Sequence, residues 1–430
     1  MPSVAALIEE TTRQDSARIL ASLIGTVRDF GLAEDAFQDA VVAALESWPD
    51  TGTPTNPSGW LLTVARRRAI DRLRRNATLS RKQTELQVLA DIERQAVDAT
   101  TMGGADEIPD DRLRLFFTCC HPALALESRI ALTLRTLAGL TTAEIASAFL
   151  VPLPAMAQRL VRAQRKIRDA RIPYEVPVRS QVGERLDGVL TVLYLVFNES
   201  YVATEGGALL RHDLGQEAIR LASTLVELIE SDATLESSAE ALGLLALMRL
   251  HHARSKARLD AAGDLVLLEE QDRSLWDKTE IGLGITLLDR AMSLRKPGPY
   301  QLQAAIAALH AQAARSKDTD WRQISLLYRR LAAMEPSPVV ELNYAVAIAM
   351  SSGPDAGLCL MDQLRLEIAL KNYHHYHAAR GELLRRAGRS AYAVVSYERA
   401  LALCQNEIER RYIQRRLAEL GGHEKTPTGK

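Results

Sequence analysis

Cysteine is scarce, aromatic residues are few and net charge is almost absent in this 430-residue chain. Its four cysteines, Cys119, Cys120, Cys359 and Cys404, have neither a paired metal spacing nor a disulfide framework, which suits a reducing compartment. Aromatics make up only 5% of the residues while Ala, Leu, Arg and Glu dominate, a balance that favours helix over strand and predicts an all-α fold. No stretch reaches the ~18 apolar residues needed to cross a bilayer. The opening Met1 to Glu10 lacks a cationic region followed by an apolar core, so a cytoplasmic protein without membrane contact is expected. No Ser/His/Asp arrangement, phosphate-cradling glycine loop or paired catalytic carboxylate stands out, and neither an enzyme nor a cofactor is expected.

Charge is present, but segregated. With a net charge of −1 the whole chain says nothing about nucleic acid, yet six arginines (Arg66, Arg67, Arg68, Arg72, Arg74, Arg75) fall within ten residues. A second group, Arg159, Arg162, Arg165, Lys166, Arg168 and Arg171, closes the first 171 residues. A single such run is as often a solvated helix face as a phosphate-binding one, whereas two runs, each on a helix, fit a polyanionic partner. Between them, residues 85–111 hold eight carboxylates, Glu85, Asp91, Glu93, Asp98, Asp106, Glu107, Asp110 and Asp111, against one cation, Arg94. This acidic tether repels phosphate, and with a flexible point at Thr100 to Gly104 it bridges rather than binds.

Size predicts about three units at ~150 residues each. In the first, residues 1–76, Ile19, Leu20, Leu23, Ile24 and Val27 recur at helical spacing. A break at Gly31 precedes a helix burying Ala36, Phe37, Ala40, Val41, Ala44, Leu45 and Trp48, with Glu34, Asp35, Gln38 and Asp39 on its other side. Pro49 to Pro57 reads as a loop, and Asn56-Pro57 as the start of the arginine helix, with Leu61, Val64, Ala65 and Leu73 inward. Trp60 at that start reads as core rather than as a base-stacking platform. Residues 77–108 are the linker. In residues 109–173, Thr141 and Glu144 form a capping-box pattern for a short helix. Val151 to Pro154 then turns the chain into a helix with Met156, Leu160, Ala163 and Ile167 on one face and Gln158, Arg159, Arg162, Arg165 and Lys166 on the others. That is a helix-turn-helix whose second helix has an anchored stripe and a basic outer face. Residues 180–425 are helical, and Gly381, Leu384, Gly388, Ala393, Tyr397 and Ala400 stand at the offsets of a tetratricopeptide unit, with Tyr328 and Pro336 suggesting another upstream.

At these residues the first 171 positions resemble an RNA polymerase sigma factor of the extracytoplasmic-function group, which joins a sigma-2 to a sigma-4 domain. The whole chain looks like the subgroup with a tetratricopeptide-like C-terminal extension. The resemblance implies that Ala33 to Ala40, with Glu34, Asp35, Gln38 and Asp39, docks on the β′ clamp helices of core RNA polymerase, which also offers its β subunit. It implies that Trp60 to Arg75 melts and reads the minus-10 element and that Thr141 to Lys166 reads the minus-35 element of promoter DNA. Where most relatives show asparagine after the Ala-Arg pair this chain has Arg67, so its base preference does not carry over.

Cys119-Cys120-His121 offers zinc-ligand chemistry, but adjacent helical cysteines point about 100° apart, and Phe116, Phe117 and Leu124 around them predict buried thiols. His251-His252 and His374-His375 with His377 read as packing or surface, so no metal is expected. The islands Leu195 to Tyr201, Lys296 to Gln303 and Asp318 to Trp321 cap helices and fill turns, or line a groove. Helical repeats present a concave surface, so contact with a peptide, a protein or the chain's own first half is expected of residues 180–425, with a modulating role in cis. The alternative is a conventional helix-turn-helix regulator whose repeats sense a ligand or peptide; a repeat scaffold with incidental basic helices is a third reading.

Overall fold

A computed structural model of the chain describes residues 4–80, 110–149, 151–202, 208–232, 235–236 and 238–422. The six tether carboxylates from Glu85 to Glu107, Arg94 and the Gly103-Gly104 point lie outside the described residues. The described chain is helical, with a lone antiparallel bridge between Leu259 and Leu265. It divides into two compact units, one of residues 1–199 and 227–236, the other of residues 200–226 and 237–430.

In the first unit, α1 (Val4–Val27), α2 (Phe30–Thr51) and α3 (Pro57–Ser80) pack on one another. The predicted stripe of α1 is buried throughout, from Ile19 to Val27, and meets Phe37, Ala40, Ala44, Trp48, Leu61, Leu62 and Ala65 in the core. Val41 and Leu45, expected in that core, stay outside it, and Leu45 is exposed. The break before α2 falls earlier than Gly31. Arg28 takes a left-handed φ of 57°, and the Asp29 carboxylate accepts from the Leu32 amide at 2.9 Å, so Gly31 lies inside the first turn. The expected loop from Pro49 also begins later, because α2 continues through Pro49 to Thr51. A proline this near the C-terminus forfeits one helical hydrogen bond, and the last turn is held instead by the Gly52 amide on the Trp48 carbonyl (3.1 Å) and the Thr51 hydroxyl on the Ser47 carbonyl (2.8 Å). Asn56 caps α3 as expected, accepting from the Gly59 amide at 2.8 Å.

The same unit holds α4 (Arg112–Cys119), α5 (Leu126–Thr136), α6 (Thr142–Ala148), α7 (Leu153–Asp169) and α8 (Arg179–Val202) as far as residue 199. Gly139, at φ 73°, ends the stretch after α5. Thr141 and Glu144 make the capping box in full, and Met156, Leu160, Ala163 and Ile167 of α7 are all buried.

The second unit is built from α9 (Ala208–Ser231) as far as residue 226, α10 (Ala239–His252), α11 (Lys278–Ser293), α12 (Pro299–Gln312), α13 (Trp321–Met334), α14 (Pro338–Ser352), α15 (Pro354–Gln363), α16 (Leu366–Ala369), α17 (His374–Arg386), α18 (Ser390–Leu403) and α19 (Glu407–Gly422). Neighbouring helices pack in sequence, α13 on α14 and α17 on α18, as tetratricopeptide spacing predicts. Gly381 shows why a small residue is needed there, since a Cβ on it would stand 3.1 Å from the buried Tyr397 ring. Two polar islands stand at capped helix starts. Glu240 accepts from the Tyr300 and Gln301 amides at the start of α12 (2.9 and 3.1 Å), and Asp320 accepts from the Gln323 amide at the start of α13 (2.9 Å).

Under Tyr397, Glu382 accepts from the Tyr397 hydroxyl (2.8 Å), Arg385 (2.7 Å) and Arg386 (2.7 Å). Burial disfavours its charge, but these donors outweigh burial and bring it down to about 2. Since the folded value is depressed, the group stabilises the fold above the ordinary carboxylate value and that contribution disappears as pH falls toward 2. Glu382→Gln is therefore expected to cost about 2–3 kcal/mol in urea denaturation at neutral pH, with the difference from the unsubstituted chain closing below about pH 3. A cost independent of pH would contradict this reading.

Candidate nucleic-acid interface

The arginines of α3 divide by environment. Arg67, Arg68, Arg74 and Arg75 are exposed, whereas Arg66 turns toward α1, where it donates to the Ser22 hydroxyl at 3.0 Å and burial lowers its pKa. Arg72 is held differently. Its two terminal nitrogens bond Asp35 and Asp39, each at 2.7 Å, so one guanidinium spans two carboxylates one helical turn apart on α2. The expected docking residues and the arginine helix are thus linked by a pair of ion bonds, while Gln38 stays exposed beside them.

Glu34 faces elsewhere. Its carboxylate accepts from Arg135 of α5 at 3.2 Å, and burial raises its pKa against the opposing pull of Arg135 and Gln164. This contact joins α2 to α5, the helix before the helix-turn-helix, and it is not alone. Tyr174, buried, donates to the Ala21 carbonyl of α1 at 2.6 Å, and a crevice of about 180 Å³ between Arg28–Gly31 and Val161–Arg168 separates the α1–α2 turn from α7. The arginine helix and the helix-turn-helix thus lie in one compact unit. Sequence gave no signal for this, because Glu34 and Arg135 are 101 positions apart and periodicity reports only that a face is covered.

On α7, Gln158, Arg162, Arg165 and Lys166 are exposed and Arg159 is half-buried. Gln158 accepts from Arg162 at 3.0 Å, a bond one turn long that aligns two groups able to read base edges. Leu153 and Pro154 open this helix, so the cations sit beyond its first turn.

Trp60 is half-buried and meets Trp48 edge to face at 5.3 Å between ring centres, which places it in packing. Cys119 and Cys120 are buried, their sulfurs 3.3 Å from the Thr136 hydroxyl and 3.5 Å from the Thr133 hydroxyl. Burial pushes the Cys120 thiol up to about 11 and Cys119 higher still. No helix among the described residues is long and apolar enough to cross a membrane.

Comparison with known proteins matches residues 12–78 to sigma-70 region 2 and residues 117–167 to sigma-70 region 4. Over 163 residues the chain is 28% identical to the ECF RNA polymerase sigma factor SigK of Mycolicibacterium vanbaalenii, covering 36% of this chain and 77% of that protein. The chain belongs to the extracytoplasmic-function sigma factors. A second SigK, from Mycobacterium ulcerans, is 27% identical over 154 residues, which are 35% of this chain and 79% of that one. Residues 185–292 of this sigma factor match a family of unknown function, DUF6596. An uncharacterized protein of Rhizobium meliloti is 43% identical over 408 residues, 95% of this chain and 94% of its own length, so the C-terminal unit is shared as well. No solved structure matches. Membership in a sigma factor family removes the ground for reading the chain as a conventional ligand-sensing regulator, and it places core RNA polymerase and promoter DNA among its partners.

Proposed function

We propose that residues 1–76 dock on the β′ clamp helices of core polymerase through Glu34, Asp35, Gln38 and Asp39 and read the minus-10 element with α3. In this reading Arg67, Arg68, Arg74 and Arg75 contact DNA directly, while Arg66 and Arg72 do so on leaving Ser22 and the two aspartates. Residues 109–173 read the minus-35 element, with Gln158, Arg159 and Arg162 at base edges and Arg165 and Lys166 on phosphate. The tether 77–108 connects them. The observation that carries this reading is the exposure of Arg67, Arg68, Arg74 and Arg75 on α3 and of Arg162, Arg165 and Lys166 on α7, with Asp35 and Gln38 exposed on α2, opposite characters for two different partners.

Gln38→Lys tests the docking face without breaking an ion pair. A cation placed in the middle of that face is expected to weaken binding to core polymerase about tenfold, and unchanged affinity would remove the face from the interface.

Residues 180–425 modulate initiation in cis. Support comes from the groove flanked by α17 and α18, where Tyr392 and Val395 are exposed among Lys371, Arg380, Arg389 and Arg399, a surface suited to protein contact. Removing residues 180–430 is expected to change run-off output from a fixed promoter. Equal output with and without them would end the modulating role.

A further inference from the structure

We propose that His374, Cys404 and Glu409, with His375 beside them, form a site for one divalent transition metal ion of the zinc class. The donors come from three places in the C-terminal unit: the first residues of α17, the end of α18 and the first turn of α19. One donor atom from each of His374, Cys404 and Glu409 lies within 4.8 Å of the other two. His374 Nε2 stands 2.8 Å from Glu409 Oε2, Cys404 Sγ stands 3.8 Å from the same oxygen, and His375 Nε2 stands 3.9 Å from Glu409 Oε1. Around a tetrahedral ion with bonds of about 2.0–2.3 Å, neighbouring donors are about 3.3–3.8 Å apart, so the cluster needs only small side-chain adjustments to close on an ion.

The donor types decide the metal class. Imidazole, thiolate and carboxylate together suit zinc and its neighbours, whereas magnesium and calcium take oxygen donors. The donors are also held from behind. The Asn406 side chain accepts from the Ile408 and Glu409 amides, both at 3.0 Å, which fixes the turn that presents Glu409. Arg410 donates to the Leu401 and Cys404 carbonyls (2.9 and 2.8 Å), which fixes the turn that presents Cys404. Tyr373 meets His375 edge to face at 5.1 Å and orients the second imidazole. Such outer support is what a metal site requires.

An ordinary ion pair between His374 and Glu409 accounts for two of these groups. It does not call for the buried Cys404 thiol, which donates to the same Glu409 oxygen at 3.8 Å and so adds a sulfur donor to the nitrogen and oxygen. The site is reachable, because a cavity of about 250 Å³ lined by His374, His375, Glu409, Tyr412 and Ile413 opens beside it. An ion bound there would clip the start of α17 to the α18–α19 turn, making the last helices of the C-terminal unit tighter when metal is present.

The test is a cobalt(II) titration of the untagged full-length chain stripped of metal, with zinc competition. Expected are one equivalent bound, a thiolate-to-cobalt charge-transfer band in the near ultraviolet, strong visible bands of tetrahedral type, and displacement of all of them by zinc. Cys404→Ser should abolish the charge-transfer band and weaken binding by more than the roughly 10–100-fold that loss of an outer partner costs, while Cys359→Ser leaves both unchanged. Glu409→Gln, which retains shape and thiol, should keep the band and lose affinity, and so decides the matter if Cys404→Ser proves unstable. Absence of one-to-one binding, or identical spectra and affinities in the Cys404 and Glu409 variants, would overturn the proposal.

Discussion

Reversal of charge at Arg67, Arg68, Arg159 and Arg162 together is expected to cut promoter-directed transcription about 1000-fold. Each arginine contact with a phosphate or base edge is worth about 1 kcal/mol or more, so four lost contacts amount to ~4 kcal/mol. Arg67, Arg68 and Arg162 are exposed and Arg159 is half-buried, so their replacement leaves the three-helix core and the α7 stripe in place. Reversal at Arg66 would not be comparable, because that side chain is tucked against Ser22 and its loss acts on the fold. The salt dependence of promoter binding by the polymerase complex should flatten in parallel, by close to one unit of slope for each phosphate contact removed. A quadruple variant that initiates at the normal rate would mean that neither basic helix touches the promoter.

The second large effect is on stability. Trp48→Ala is expected to destabilise the N-terminal unit by about 3–5 kcal/mol, the range for truncating a buried aromatic. Trp48 is 1% exposed and among the largest fully buried side chains, and it also supports Trp60 edge to face. Against a domain stability of about 5–15 kcal/mol, that loss removes much of the margin. Trp60→Ala, at a half-buried ring, should cost less, and its effect should shrink further once Trp48 is gone because the two rings share one contact. Urea denaturation followed by near-ultraviolet circular dichroism measures both. A cost below about 1 kcal/mol for Trp48→Ala would show that the α2–α3 core does not depend on this ring.

What the sequence disclosed is mostly what short-range physics determines. The Thr141–Glu144 box, the Asn56 cap and the Met156, Leu160, Ala163 and Ile167 stripe all rest on residues within a few turns of one another, and each stands where periodicity and capping chemistry place it. Misjudged boundaries were local contests between two signals. Gly31 and Pro49 read as breakers, but Asp29 supplies a better cap than Gly31, and the last turn of α2 tolerates Pro49. The buried thiols of Cys119 and Cys120 followed from their aromatic neighbours.

Pairings between distant segments were not legible. Six arginines in a run read alike on paper, yet Arg66 turns inward, Arg72 is shared by Asp35 and Asp39, and Arg67 and Arg68 face solvent. Nothing local distinguishes them, because partner choice depends on which helices meet. The same holds for Glu34 with Arg135 and for His374 with Glu409, which are brought together only by packing. The pairs of Arg72 with Asp35 and Asp39 and of Glu34 with Arg135 tie α2 to α3 and α5.

The most direct measurement of the central claim is run-off transcription with purified core polymerase and the full-length chain on a library of random promoter sequences. The account predicts initiation that depends on the chain and enriches promoters sharing two elements, lost when the four arginines are reversed. Initiation from no sequence in the library, or initiation indifferent to those arginines, would contradict it.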